Sequence, residues 1–333
     1  MDFTTPTWND AFQGFLLHLQ ATRATKTVKY YETLLRALIS WADNNQVPFE
    51  KFGKRQMDTY LVFRSKAGLA QLTLHHDAVC AKAFLRWCQK NDYVKTSLLA
   101  DYEVRNAPAP YKYMPTEEDM QKLVAAVRDF WDVEKHPGCR FNAPARRAFN
   151  RDRNYAIILL LLDSACRINE VLHLQMEDYK EKDRMITIRE SKGREPRSIP
   201  VSNDTAEAIK VWLTVRQRSM KEVPKEEDEG WLFISETGRK NDNCLFLRTL
   251  KRITSYAGLS TKITLHSLRR YSLNRLAKHN LLAAQTIAGH KDTKTTLIYT
   301  RIDPDFVREM HEEVGVVRGI LQSKRAVTRK RLI

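Results

Sequence analysis

The sequence predicts a mainly α-helical protein with a small antiparallel β-sheet confined to its second half. Three observations predict it. Over roughly the first hundred residues, apolar side chains recur at three- and four-residue steps, the helical period, and no alternating stretch interrupts them. A proline-rich break, "APAPYKYMPTEED" (107–119), ends that region. Beyond it, two short alternating runs, "DRMITIRE" and "PRSIPVS", sit within a second series of helical segments.

In the first region, 1–106, "TVKYYETLLRALISWA" places Val28, Tyr31, Leu34, Leu35, Leu38 and Trp41 on one helix face. "LTLHHDAVCAKAFLRWC" does the same with Leu72, Val79, Ala83, Phe84 and Trp87, which are expected to line a core. The segment 107–116 holds three prolines, which disfavour helix and push their neighbours extended, so it is expected to be a short, stiff linker that lets the two domains clamp around something. Thr116 followed by Asp119 has the pattern of an N-cap with an acidic N3 residue and starts a new helix at "EEDMQKLVAAV".

The second region, 117–315, is mixed. "NYAIILLLLDSA" is apolar on all sides and is expected to be the central core helix. The two alternating runs flank "SKGRE" and predict a β-hairpin with Gly193 free to adopt positive φ in its turn. Helices are expected at about 204–220, 243–257 and 266–279, with "KEVPKEEDEG" a solvated loop. The segment 132–152 reads as an insertion in which Lys135, Arg140, Arg146, Arg147 and Arg151 outnumber the acids, so it tracks DNA or is a solvated loop. Asp303 and Pro304 start a last helix with Phe306, Met310, Val314, Val317 and Leu321 in one stripe, and 316–333 is a basic tail.

Composition narrows the class of function. The chain has 333 residues, 43% of them hydrophobic, enough for two domains with real cores. Its formal charge of +16, from 56 Lys and Arg against 40 Asp and Glu, favours a polyanionic partner, nucleic acid before an acidic membrane surface. The five cysteines are scattered and never spaced CxxC, so neither a disulfide framework nor a zinc ribbon is expected. "MDFTTPTWND" has no basic or apolar leader pattern, and the longest apolar run, Tyr155–Leu162, is too short to span a bilayer. The expectation is a reduced, cytoplasmic protein with no membrane partner.

Four stretches place cations or proton carriers where chemistry could use them, and each, taken singly, also has a structural reading. In "SACRINEVLHL", Arg167 and Glu170 form either an ordinary i,i+3 ion pair or a guanidinium held by a carboxylate and aimed at a phosphate. In "ESKGRE", Lys192 is an exposed hairpin tip or a mobile ammonium reaching into the minor groove. In "TLHSLRRYSLNRLA", His266 and Arg269 lie one turn apart, on a basic amphipathic helix or pointing at one anion. In "AGHKDTKTTLIYT", His290 is a cap after Gly289 or a phosphate ligand, and Tyr299, nine residues on, is a half-buried aromatic or a nucleophile.

Taken together, the ordered set Arg, hairpin Lys, His-x-x-Arg, Gly-His and Tyr resembles the tyrosine recombinase (phage integrase) superfamily, of the two-domain Xer and Cre type. The resemblance spans nearly the whole chain. It implies a helical core-binding (SAM-like) domain over 1–106 and an α+β catalytic domain over 117–315. It implies that Arg167 and Arg269 bind the scissile phosphate, Lys192 protonates the leaving 5′ oxygen, and His266 is an acid–base partner. It further implies that His290 hydrogen-bonds a phosphate oxygen, Tyr299 attacks phosphorus, and Glu170 supports the site. The first motif departs from the family's usual Thr-Gly-Leu-Arg at Ala165 and Cys166, while Arg167 and Glu170 stand.

The activity implied is site-specific DNA strand exchange through a 3′-phosphotyrosine intermediate, with no metal, cofactor or ATP. The partner implied is duplex DNA with inverted half-sites, bound by a homotetramer that is a monomer or dimer when free, with a nucleoid-associated location. The alternatives are a type IB topoisomerase, which needs no paired sites, and a non-catalytic DNA-binding protein, which has no need of Tyr299. Candidate DNA readers are Lys26 and Lys29 on one helix and Gln71, Thr73, His75 and His76 on another, with core packing and phosphate contact as rival roles.

Overall fold

A computed structural model describes residues 6–289 except 97–98, 107–112, 140–142, 190–195 and 222–227. Lys192, His290, Tyr299, the expected last helix and the basic tail therefore lie outside the described residues. The chain divides into two units, Met1–Tyr111 and Lys112–Ile333.

The first unit is helical. It contains α1 (Trp8–Thr22), α2 (Thr25–Asn44), α3 (Lys54–Lys66) and α4 (Gln71–Lys90). Thr7 and Asp10 close a capping box at the start of α1, satisfying two backbone donors that the first turn leaves free. Trp8, Phe15, Phe49, Phe52 and Phe84 form an aromatic core, with Trp8 edge-on to Phe49 and Phe52. Arg64 of α3 donates to the buried Asp77 of α4 at 3.0 Å and pins those two helices.

The expected core face of α2 is observed, with Val28, Leu35, Leu38 and Trp41 buried and Tyr31 and Leu34 half-buried. That of α4 is corrected. Leu72 and Val79 are exposed, and the buried stripe is Leu74, Ala78, Ala81, Leu85 and Cys88, joined by Phe84. Both sets satisfy a helical period. Packing against α1 and α2 selected the second, leaving Ala83 and Trp87 at its half-buried margin.

The second unit is built around α6 (Pro144–Ser164), which follows α5 (Glu117–Asp129). Thr116 and Asp119 form the expected capping box on α5. Ala156, Ile157, Ile158, Leu160 and Leu161 of α6 are buried, each fully buried Ile or Leu contributing about 1.5–3 kcal/mol. The reading of 132–152 as a continuous insertion is corrected: Pro144 sits in the first turn of α6, so 144–152 are its opening turns. Arg153, buried in that helix, donates to the Ile234 carbonyl at 3.1 Å and to Asn150 at 2.7 Å, and burial pulls it down to about 10.

After α7 (Ile168–Leu172) come β1 (Tyr179–Lys180), β2 (Met185–Ile188) and β3 (Arg197–Pro200), an antiparallel sheet in the order β1-β2-β3. Ile186 pairs with Ile199 and Ile188 with Arg197, the hairpin that the alternation predicted. Helices α8 (Asn203–Ser219), α9 (Asn243–Tyr256) and α10 (Leu265–His279) fall where the sequence placed them, and α11 (Leu281–Ala288) was not foreseen. α6 packs against α5, α8 and α10, and α10 packs against α11.

Candidate active site

α6 ends at Ala165, which caps it in the left-handed conformation (φ 49°, ψ 23°). For a residue with a Cβ that conformation costs roughly 1–2 kcal/mol, and here the chain turns back at once into α7. Arg167 is the N-cap of α7 and Glu170 its N3 residue. Glu170 Oε2 accepts the Arg167 backbone N–H at 2.8 Å, and its Oε1 accepts Arg167 Nη1 at 3.2 Å. The pair that the sequence left open between structure and function is therefore present. The Glu170 side chain is only 4% exposed, whereas that of Arg167 is 33% exposed and so open to a ligand. Burial alone raises the Glu170 carboxyl, but the Arg167 N–H and the charges of Arg197 and Arg167 outweigh it and hold it below its ordinary range.

α10 supplies His266 and Arg269, with Thr264 as N-cap. His266 is exposed, and Arg269 is 3% exposed. Arg269 Nη1 donates to the Ala165 carbonyl, and Nη2 to the Ala288 carbonyl at 3.0 Å. Those carbonyls close α6 and α11, where helix ends leave acceptors free and the macrodipole is negative. One guanidinium thus draws together the turn before Arg167 and the turn before His290, across 104 and 19 residues of chain.

A residue that the sequence reading missed completes this arrangement. Arg197, the first residue of β3, has its side chain 9% exposed. Its Nη2 donates to Glu170 Oε2 at 2.9 Å and its Nε to the Ile287 carbonyl at 2.9 Å. The signal was legible: in "RSIPV", Arg197 shares the inward face with the buried Ile199 and Val201, and a cation on the apolar face of a strand needs a partner. Gly289 follows α11 at φ +63°, and a Cβ there would lie 3.2–3.3 Å from the Arg197 side chain. Positive φ and this close approach both favour glycine in the Gly-His pair. Cys166, where the resemblance leads one to expect Leu, is buried 3.9 Å from Arg197 Nη2, and burial pushes its thiol up.

The structure thus pairs Arg167 with Glu170 and bonds Arg269 to the carbonyl of Ala165, two residues before Arg167, with His266 one turn before Arg269. Lys192, His290 and Tyr299 are outside the described residues. Tyr271, the other tyrosine near the motifs, accepts from Arg275 at 3.2 Å, which also pairs with Glu117. Among the described residues no cluster of His, Cys, Asp or Glu is arranged to hold a metal ion, and no helix is long and apolar enough to cross a membrane. In the first unit, Lys26, Lys29 and Gln71 are exposed and Thr73, His75 and His76 half-exposed. An edge-on contact of the His76 ring with Tyr30, at 6.0 Å, joins the two helices that carry them, while His75 is tied to the Arg105 carbonyl at 3.0 Å.

Residues 140–305 match the phage integrase family. Tyrosine recombinase XerC of Thermodesulfovibrio yellowstonii is 30% identical over 307 residues, covering 90% of this chain and 94% of the relative. Tyrosine recombinase XerA of Pyrococcus furiosus is 27% identical over 225 residues, 66% of this chain and 68% of the relative. Among solved structures, the Tn1549 transposon integrase in complex with a circular intermediate DNA has the same fold, with TM-score 0.68, 18% identity and coverage of 92% of this chain and 99% of that one. XerH recombinase bound to palindromic difH substrate matches at TM-score 0.67 and 19% identity, over 85% of this chain and 78% of that one.

Proposed function

This chain belongs to the phage integrase family of tyrosine recombinases and is a site-specific DNA recombinase; we propose that it cuts and rejoins strands through Tyr299. The observation that carries this reading is the Arg269 clamp, which sets the Arg167 turn beside the turn leading to His290. Two arginines there serve one developing anion, and binding alone requires no such construction.

In the proposed reaction the Tyr299 hydroxyl attacks the scissile phosphorus. The bond to the 5′ oxygen breaks and a 3′-phosphotyrosine remains. Forming phenolate at neutral pH from a tyrosine with pKa of about 10 costs about 4 kcal/mol, which neighbouring cations and His266 as proton acceptor offset. Arg167, Arg269 and His290 stabilise charge on the non-bridging oxygens, each well-aimed donor contributing roughly a hundredfold. Lys192 protonates the leaving oxygen. The covalent link keeps the phosphodiester energy, so religation needs no ATP.

By the same reading the protein assembles as a tetramer on two duplexes with inverted half-sites, with α2 and α4 contacting DNA through Lys26, Lys29, Gln71, Thr73, His75 and His76. The topoisomerase and non-catalytic readings are not favoured, since the relatives are recombinases. The test is incubation with a randomised pool of nicked duplexes under denaturing readout. A covalent adduct supports the reading, and its absence across the pool rejects it.

A further inference from the structure

We propose that Arg197 is a positioning residue for strand cleavage, holding the Arg167 guanidinium through Glu170 and the turn that leads to His290 through the Ile287 carbonyl. The inference rests on the recombinase reading above and adds to it a residue that lies in none of its motifs.

Three observations carry it. First, Arg197 and Arg167 share one carboxylate. Glu170 Oε2 takes both the Arg167 backbone N–H and Arg197 Nη2, while Oε1 takes Arg167 Nη1. Without Arg197, the buried carboxylate keeps only Arg167 among the described residues and can follow that side chain into other rotamers. Second, Arg197 and Arg269 hold consecutive carbonyls at the end of α11, Ile287 and Ala288, so the end of that helix is fixed from two sides. Third, the Arg197 Nη1 is buried and has no hydrogen-bond partner among the described residues, while a Cβ at Gly289 would stand 3.2 Å from it.

An unsatisfied buried donor opposes stability. An apolar side chain beside Ile199 and Val201 would fill the inward face of β3 without that cost. A guanidinium that joins two candidate catalytic segments while retaining a donor unused among the described residues is better explained by the geometry it imposes than by packing. Lysine keeps the charge but lacks the planar fork that reaches Glu170 and Ile287 together.

The experiment uses the full chain and a nicked duplex selected by the wild-type protein from a randomised pool. Single-turnover adduct formation gives an amplitude, which counts active molecules, and a rate constant, which reports each site. For Arg197→Ala the rate constant is expected to fall roughly a hundredfold, with duplex affinity within about threefold, and Arg197→Lys is expected to recover about tenfold. Glu170→Gln combined with Arg197→Ala is expected to lose no more than the worse single variant, because both act through one contact. Among the described residues the groups facing Glu170 are Arg167, Arg197 and Cys166, so removing Arg197 is also expected to move the acid limb of the rate profile to higher pH. A purely structural role lowers amplitude and melting temperature and leaves the rate constant and acid limb in place; that outcome overturns the proposal. Independent, multiplying losses with Glu170→Gln overturn it too. A wild-type protein that forms no adduct overturns both this inference and the recombinase mechanism. A wild-type adduct with an unchanged Arg197→Ala rate overturns the inference alone.

Discussion

Arg269 donates through Nη2 to the carbonyl oxygen of Ala288 at 3.0 Å, so a buried cation caps the helix whose next two residues are Gly289 and His290. Its other terminal nitrogen donates to Ala165, the left-handed cap that precedes Arg167. The same side chain that is proposed to bind phosphate therefore also builds the wall around it.

Substitution of Arg269 is expected to cost stability as well as cleavage. Arg269→Ala leaves two helix-end carbonyls without this donor, a loss of about 3 kcal/mol, or a melting midpoint lower by roughly 10 °C. Arg269→Lys reaches one carbonyl and falls between. Calorimetry beside adduct yield checks this; an Arg269→Ala protein with wild-type melting would remove the clamp from the account.

Gly289→Ala tests the other side of the same turn. The added methyl meets the Arg197 side chain at 3.2–3.3 Å and forces positive φ on alanine. Strain of about 1 kcal/mol lowers melting by roughly 2–4 °C. Cleavage is expected to fall by more than that stability loss accounts for, because Arg197 is displaced. Equal loss of amplitude and stability, with an unchanged rate constant, contradicts the coupling.

Tyr299→Phe is expected to abolish the covalent adduct on nicked DNA while duplex binding persists within about threefold. Tyr271→Phe serves as the control, since that hydroxyl is occupied by Arg275. Gel shift and denaturing electrophoresis of both variants decide which tyrosine is covalently linked.

Cleavage and religation are expected to proceed at the same rate in EDTA, because guanidinium and imidazole groups are proposed to take the part that metal ions play in other phosphoryl transfers. A rate that collapses on chelation and returns with Mg²⁺ contradicts that assignment.

Glu170 gives a pH dependence of known sign. Its carboxyl is held below its ordinary value of 4.5 when folded, so the stability it contributes is present in full above that value. It is lost as pH falls through the depressed folded value. Melting of wild type and Glu170→Gln, followed from about pH 6 to about pH 3, is expected to show a gap that narrows at the acid end. A gap that stays constant argues that the buried carboxylate is not charged in the folded protein.

The described part of the candidate site was legible because its residues violate the packing pattern around them. Arg167 is a cation just past the end of an apolar helix, and Gly289 sits where the chain needs positive φ. Arg197 carried the same kind of signal, a cation in register with Ile199 and Val201, but a four-residue strand offers too few alternations to make one exception stand out. The α4 stripe went to the wrong face because Leu72, Val79 and Ala83 also satisfy the helical period, and periodicity alone does not say which face meets a neighbour. Residues 144–152 read as part of an insertion because their charge density hides helix, yet Pro144 is suited to a first turn.

By itself the sequence determined the class of fold, the proline-marked break, the β-hairpin, the cap at Thr116, and the ordered motif set that resembles a recombinase. These follow from local rules: period, capping chemistry and turn residues act within a few positions. Only the tertiary structure decided which arginine is buried, and that one guanidinium holds Ala165 and Ala288 while another holds Glu170 and Ile287. Those bonds span 19 to 104 residues, and a buried charge takes whichever acceptors the packed helices leave free, a choice made only once α6, α10 and α11 have met.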